Sequence, residues 1–417
     1  MLTARFNSIP RFGLPYTVSD FAAALRALTS DLPRPHTFGL LGASPKFWTG
    51  SGRQALRLIL TALQLPSASS VALPLFADPS LAAAIVAAGH VPVFVDIEPE
   101  FLTICPESLN AARGKFDAVV VVNLFGHLAD MPGVLSAADS TPTIVDAAHA
   151  PLSSFCSIQA GDFGVASFYS FASTKYWPAG GGGLAVVHDS TLASRLDGLI
   201  RSLSAPSPLQ ELRNVLMQGA KSIVFSKRLY GIFGRPMRRW TDEWALLEPR
   251  LDQVAIQRSY AAVACRQALR FALRVEYQRA NSLRLLSLLA DTEDVVLPKE
   301  RPGARYNYHL FPVLVRDRME RDAVMSGMWS YHVDTSKIYS GAIEECRRFG
   351  YTGGCPISES VASRLITLPN HASLTGSDID RVADAFLCSL RAWRSSQRNY
   401  PVHGFGARVP GLIWRQT

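Results

Sequence analysis

Charge is scarce in this chain. Asp, Glu, Lys and Arg make up 18% of its 417 residues, against 48% hydrophobic. Such a balance excludes a solvated, disordered polymer, because apolar surface is available to offset the entropy of ordering the chain. Long apolar runs are missing too: none approaches the roughly 20 residues of a membrane span. The opening residues MLTARFNSIPRFG have no hydrophobic signal core, so a chain that stays inside the cell is expected. Cysteine is sparse and scattered (Cys105, Cys156, Cys265, Cys346, Cys355, Cys388), with neither the paired spacing of a zinc site nor a disulfide framework. A reducing cytoplasm and no metal follow as expectations. GxSxG elbow, Walker loop, HExxH pair and internal repeat are all absent.

The length suits two domains, or one domain with a substantial lobe. The net charge of +8 permits association with phosphates or anionic surfaces, yet names no ligand. No basic and aromatic module of a nucleic-acid binder is present, and no nucleic-acid partner is expected.

Apolar periodicity predicts alternation. Gly52 to Leu65 reads as a helix, Val71 to Phe76 as a strand and Pro79 to Ala88 as a helix closed by Gly89. Val91 to Val95, Ala118 to Asn123 and Thr143 to Val145 repeat the strand signal, and Ser167 to Phe171 is a further short strand. This predicts an α/β fold, a mostly parallel sheet flanked by helices. Leu251 to Leu289 reads as helical and leads into a smaller C-terminal α+β domain, with strands at Tyr306 to Val315 and Arg364 to Leu368 and a helix at Ser377 to Trp393. The expected division is 1–250, 251–394 and a tail, 395–417.

The stretch from Thr143 to Val187 carries the chemistry. Asp146 closes an apolar strand at the carboxyl edge of the sheet, where open α/β folds bind ligands. Ser170 and Lys175 follow the next strand in a turn before Gly180 to Gly183, where backbone can approach a flat ligand. Pyridoxal phosphate needs an amine for its aldehyde, an acid opposite its ring nitrogen and donors for its phosphate. Lys175, Asp146 and Ser170 are one candidate for each. An acid facing a protonated ring nitrogen is worth roughly 4 kcal/mol at contact in an intermediate dielectric. Each residue also has an ordinary reading: a solvated lysine, a helix-capping aspartate, a serine bonded to nearby backbone.

These residues resemble the DegT/DnrJ/EryC1/StrS family of sugar aminotransferases, of the fold-type I pyridoxal phosphate class. The resemblance runs from about Gly50 to about Leu387. Asp146-Ala147-Ala148-His149 is similar to the family's acid-alanine-alanine-glutamine segment, and Tyr169 to Lys175 to its aromatic-serine-aromatic segment ending in threonine-lysine. Ser51-Gly52-Arg53 resembles its phosphate loop, Pro92 to Asp96 one of its strands, and Asn123 to His127 a strand end. Cys355-Pro356 and Leu368-Pro369 look like landmarks of its small domain.

The resemblance implies Lys175 as the catalytic residue and Lys175, Asp146, His149, Ser170, Ser51, Gly52, Arg53, Asn123 and Phe76 around the cofactor. His149 stands where glutamine is usual, near the cofactor's phenolic oxygen, and Arg53 replaces a threonine. Asp78 occupies a position where an aromatic often stacks, leaving Phe76 nearby. Glu248 stands near Arg250 where an asparagine often reaches a neighbouring subunit's phosphate. The implied activity is amino transfer from an amino acid, glutamate above all, to a nucleotide-linked keto sugar, with pyridoxamine 5'-phosphate between the half-reactions, in a homodimer. Relatives that deoxygenate sugars replace the lysine by histidine, and this chain keeps Lys175. The alternative is a non-catalytic scaffold or sensor of the same fold.

One segment lies outside that pattern. From Gly219 to Trp240, six basic residues are interleaved with apolar ones and no acid is present. The favoured reading is a short helix with its apolar side on the protein, broken near Gly231, Gly234 and Pro236, its arginines in solvent or facing nucleotide phosphates. Peripheral contact with an anionic membrane is the alternative.

Overall fold

A computed structural model describes residues 7–35, 38–237 and 253–399. Arg238 to Trp240, Glu248, Arg250 and residues 400–417 of the tail therefore lie outside the described residues.

The central sheet draws on seven strands: β1 (Lys46–Thr49), β2 (Ser70–Pro74), β3 (Val91–Val95), β4 (Ala118–Val122), β5 (Thr143–Asp146) and, beyond two short ribbon strands β6 (Ser154–Phe155) and β7 (Ile158–Gln159), β8 (Ala166–Ser170) and β9 (Gly183–Val187). Their order is β1-β9-β8-β5-β4-β2-β3. β8, β5, β4, β2 and β3 are parallel, and β9 runs against both its neighbours. The sheet is the mostly parallel one expected, with β1 and β9 as additions the apolar pattern does not reveal.

The run AVVVV of β4 has no polar alternation because both its faces are covered. Val119 and Val121 pack with Ala72 and Val145 on one side, against Met131 and Val134 of the Met131–Ala138 helix. Ala118, Val120 and Val122 pack with Val71, Leu73 and Ile144 on the other, where the Gly52–Leu63 and Ser190–Arg201 helices lie. Each fully buried valine contributes about 1.5–3 kcal/mol of transfer free energy.

The helix expected from Leu251 begins at Arg258 and runs to Leu289. The strand expected over Tyr306 to Val315 is shorter: Ala304–Arg305 (β10) pairs with β6, and only Phe311–Leu314 (β11) pairs, antiparallel, with Leu365–Leu368 (β12). Between them Tyr308 takes a left-handed φ of 49° and turns the chain out of extended geometry. Val71 to Phe76 likewise stops pairing at Pro74, and Gly183, expected in a glycine turn, opens β9.

Asp96, just past β3, joins the sheet to the C-terminal elements. Its carboxylate accepts the amide N–H groups of Ile357 (2.9 Å) and Ser358 (2.8 Å) and the Ser358 hydroxyl (2.7 Å), at the start of the Pro356–Arg364 helix. Those amides have no intrahelical acceptor, and an acid there also meets the positive end of the helix dipole. Asp96→Ala is expected to lower stability by about 1–3 kcal/mol, with Asp96→Asn losing less; denaturant unfolding of both variants checks it.

The basic segment differs from the favoured reading. Its helix, Pro208–Val224, ends earlier than the glycines, and the chain then makes a wide helical turn over Tyr230–Gly234. Lys227 donates to the buried Asp378, and the Arg235 guanidinium lies 3.5 Å from the Trp329 ring centroid, so two of the cations are bound to the protein rather than left in solvent. Ile223, Phe233 and Met237 are exposed instead. The reason is local: Tyr230 takes the buried position and donates to Asp334, and its turn carries Phe233 outward. Among the described residues no helix is long and apolar enough to cross a membrane, and no disulfide joins the six cysteines.

Candidate active site

Parallel strands end at one edge, and that edge collects residues far apart in sequence. Asp146 is the last residue of β5 and Ser170 the last of β8; Asn123 follows β4 by one residue, Phe76 follows β2 by two, and Ser51 follows β1 by two. Lys175 sits five residues beyond β8, in a turn whose Lys175 N–H donates to the Ala172 carbonyl (2.9 Å).

Lys175 Nζ lies 2.9 Å from His149 Nε2. The other ring nitrogen, Nδ1, accepts the Phe125 backbone N–H at 3.3 Å. A neutral imidazole has one donor and one acceptor, so accepting from Phe125 puts the ring proton on Nε2, and the 2.9 Å contact is a hydrogen bond when the Lys175 amine is uncharged and accepts. Burial and the nearby Lys175 and His309 hold the His149 pKa well below its usual value, so the ring is neutral through the physiological range. His149 is thus a fixed hydrogen-bond donor.

Asp146 is buried, with its Oδ1 accepting the Ala148 N–H at 2.9 Å. No helix follows Asp146, so the helix-capping role open in the sequence is absent; one oxygen instead holds the turn that leads into His149. Burial pushes the carboxyl up to about 6, the Lys175 charge and the Ala148 amide opposing, with Asp78 adding to the rise. A carboxylate in this condition gains from a cation facing its free oxygen.

Ser51 caps the Gly52–Leu63 helix, its Oγ accepting the Gln54 N–H at 3.1 Å. Gly52 opens that helix against Ser170: a Cβ on Gly52 would stand 3.0 Å from the Ser170 Cβ. A Cβ on Gly183 would stand 2.6 Å from the Ser51 carbonyl carbon, so β9 reaches this loop only because residue 183 has no side chain. A helix N-terminus beside Ser170 is an anion cradle. Arg53 is half-buried on the first helical turn. Asn123 accepts the Ala129 N–H with its Oδ1 (3.0 Å) and leaves Nδ2 buried without a partner among the described residues.

Phe76 is buried, edge-on to Tyr339 with ring centroids 6.1 Å apart. Tyr339 lies nearly parallel to the His149 ring at 6.4 Å, and burial with Asp78 and Asp146 raises its phenol well above the usual value. Asp78, at the position where an aromatic was expected, accepts the Ser80 N–H (3.0 Å) at the start of the Ser80–Ala87 helix.

Three residues at this edge were not found from the sequence: Tyr339, His309 and Arg274. His309 packs against His149 with ring centroids 4.4 Å apart. Its signal was available, since Asn307 and His309 would put two polar groups on one face of the strand read there. Asn307 fastens the same loop, its Nδ2 donating to the carbonyls of His149 (3.0 Å) and Pro151 (2.8 Å).

The implied cofactor fits these residues. A buried acid with a free oxygen, an amine beside a neutral donor, an orphaned amide and a glycine-lined helix start are each what one part of pyridoxal phosphate requires. Together with the sheet that carries them, they define a fold-type I aminotransferase. The chain belongs to the DegT/DnrJ/EryC1/StrS aminotransferase family, which its residues 40–387 match, and is a pyridoxal phosphate-dependent sugar aminotransferase.

It is 25% identical over 351 residues to UDP-N-acetyl-3-dehydro-alpha-D-glucosamine 3-aminotransferase of Acidithiobacillus ferrooxidans, covering 83% of this chain and 84% of that one. It is 27% identical over 368 residues to dTDP-4-dehydro-2,3,6-trideoxy-D-glucose 4-aminotransferase of Saccharopolyspora spinosa, covering 85% and 88%. Among solved structures, the aminotransferase TlmJ from Streptoalloteichus hindustanus has a similar fold, with a TM-score of 0.74 at 21% identity over 93% of this chain and 100% of that one.

Proposed function

We propose that this enzyme moves an amino group from an amino acid, glutamate above all, to a keto sugar linked to a nucleotide. The Lys175–His149 contact of 2.9 Å, with Asp146 alongside, carries the reading. Pyridoxal phosphate, when bound, supplies an aldehyde that captures amines and a protonated ring that accepts the electron pair left as a carbon loses its proton. Asp146 holds the ring nitrogen protonated. Ser51, Gly52, Arg53 and Ser170 hold the phosphate at the positive end of the Gly52–Leu63 helix. His149 Nε2–H and the Asn123 amide donate to the phenolic oxygen, and Phe76 walls the site. Lys175 would hold the aldehyde through its amine and, with that amine free, would take the proton from the donor's α carbon and return one to the sugar carbon.

In the same reading, residues 1–250 bind the cofactor, 251–394 form a smaller unit, and the protein works as a homodimer in the reducing cytoplasm. Leu269, Leu273 and Tyr277, exposed at helical spacing on the Arg258–Leu289 helix, are the kind of apolar surface a second subunit covers. Nucleotide-linked keto sugars, each incubated with glutamate and followed by mass spectrometry, test the reading. An aminated sugar from at least one supports it; conversion of none, by protein with no amine-sensitive cofactor absorbance, refutes it.

His149 adds a specific expectation. His149→Gln keeps an N–H donor and is expected to stay within about tenfold of wild-type turnover, whereas His149→Phe loses about 1–3 kcal/mol of stabilisation, or roughly 10–100-fold. Because His149 is neutral already, wild type and His149→Gln should share the same acidic limb in a pH–rate profile between pH 6 and 9.

A further inference from the structure

The Pro208–Val224 helix turns its polar side inward. Of its three buried residues, Glu211, Val215 and Gln218, only Val215 is apolar. The Glu211 carboxylate accepts the Ser259 N–H (2.7 Å) and faces Arg258 (3.6 Å), and the Gln218 amide donates to the Gly180 carbonyl (3.3 Å) and the Ser173 hydroxyl (3.0 Å). These contacts fix which side of the helix points away from the protein. That side carries Leu209, Leu212, Leu216 and Ile223, all exposed, Leu209 at 77% and Ile223 at 62%. At about 100° per residue the four fall within an arc of about 60°. A helix that has only to face water shows the opposite pattern, apolar side in. The apolar surface extends past the helix. A Cβ on Gly234 would stand 3.2 Å from the Val224 carbonyl oxygen, so the Tyr230–Gly234 turn folds against the helix end, where Phe233 is exposed, followed by Met237. Charge along this segment has one sign. From Pro208 to Met237 the chain has five bases and one acid, the buried Glu211, and of the bases Arg213 and Arg228 are exposed.

We propose that this face rests on the surface of an anionic bilayer, with Leu216, Ile223 and Phe233 entering the boundary of the acyl chains and Arg213 and Arg228 meeting lipid phosphates. Apolar side chains in a stripe, flanked by cations, are what an interfacial helix needs. The attachment is peripheral, because the helix is amphipathic and its inner side stays bound to the protein. A second copy of the chain suits the face less. In a two-fold contact a patch meets itself, so each copy would bring the same bases toward the other and no exposed acid from this segment to match them. An anionic surface supplies that missing sign, and it does so without touching the chemistry at Lys175.

Cosedimentation of the full-length holoenzyme with vesicles tests the proposal, one set made of phosphatidylcholine alone and the other of equal parts phosphatidylcholine and phosphatidylglycerol. Wild type is expected to bind the anionic vesicles about tenfold more tightly or better, and less tightly as salt is raised. Leu216→Glu combined with Ile223→Glu is expected to weaken that binding by about tenfold or more. Arg213→Gln combined with Arg228→Gln should weaken it about fivefold for each cation removed. All four side chains are exposed, so thermal melts should match wild type, and the glutamine pair carries the test should the glutamate pair fail to fold. Binding that is absent, that is no stronger on anionic vesicles than on phosphatidylcholine, or that is unchanged in the folded variants overturns the proposal. So does a glutamate-pair variant that light scattering finds in a smaller oligomer than wild type, which would give the face to a second copy. Wild type that binds polyglutamate but neither vesicle overturns it as well, in favour of an acidic protein.

Discussion

Lys175→Ala is expected to leave a folded protein whose amino transfer is slower by about 10³–10⁴-fold. Positioned proton transfer alone accounts for about 10²–10⁴ in rate, and in the proposed reading this side chain would both hold the cofactor's aldehyde and carry the proton. Among the described residues the Lys175 amine makes no ion pair, and its one polar contact is with His149 Nε2 at 2.9 Å, so little stability should leave with it. Stopped-flow absorbance with L-glutamate reads the half-reaction directly. An added primary amine such as methylamine is expected to restore a part of the lost rate, because the vacated side chain leaves room beside His149. Wild-type speed in the alanine variant would remove the lysine from the mechanism.

Asp146→Asn should separate activity from stability. A neutral amide cannot keep the ring nitrogen protonated, and removing such an electrostatic partner costs about 10²–10³ in rate. The cofactor-free protein should move the other way. Burial lifts its folded-state carboxyl to about 6, above the ordinary 3.8, so between these limits the native chain holds a proton that the unfolded chain has released. Stability from this group is therefore fully present below about pH 3.8 and is lost as the pH rises through about 6. Above pH 6 the ionised acid strains the apo fold. Asp146→Asn should then be more stable than the apo wild type by about 1–3 kcal/mol at pH 7.5, with the difference shrinking toward pH 4. Urea unfolding of both apo proteins at the two pH values measures it. A variant that is less stable at pH 7.5 would mean that the buried acid is matched by something other than the cofactor.

The placement of Asp146 and Lys175 at one sheet edge was legible because its signals are local. Asp146 ends an apolar run, and Lys175 follows an aromatic strand and precedes four glycines; both facts lie between Thr143 and Gly183. Parallel-strand geometry then does the rest, since every such strand points its carboxyl end at the same edge. What was not legible came from far along the chain or from a turn. β9 is an apolar strand concealed behind its own glycines. The Tyr306 to Val315 run has strand composition, yet the left-handed Tyr308 breaks it and delivers His309 to His149. The basic segment misled because composition reports which side chains are charged, not which of them find Asp378 or Trp329.

By itself, the order of residues determined the alternation of strands and helices and the place of an acid, a hydroxyl and an amine at the ends of those strands, because backbone periodicity and turn chemistry act over a few residues. The tertiary structure alone decided the protonation states. The Phe125 amide, held in its own left-handed turn (φ 61°), selects the His149 tautomer, and burial lifts Asp146 and draws Arg274 down to about 10. Desolvation and hydrogen bonding depend on neighbours in space, and those neighbours lie on separate elements: Phe125 and His149 are 24 residues apart, Tyr176 and Arg274 98.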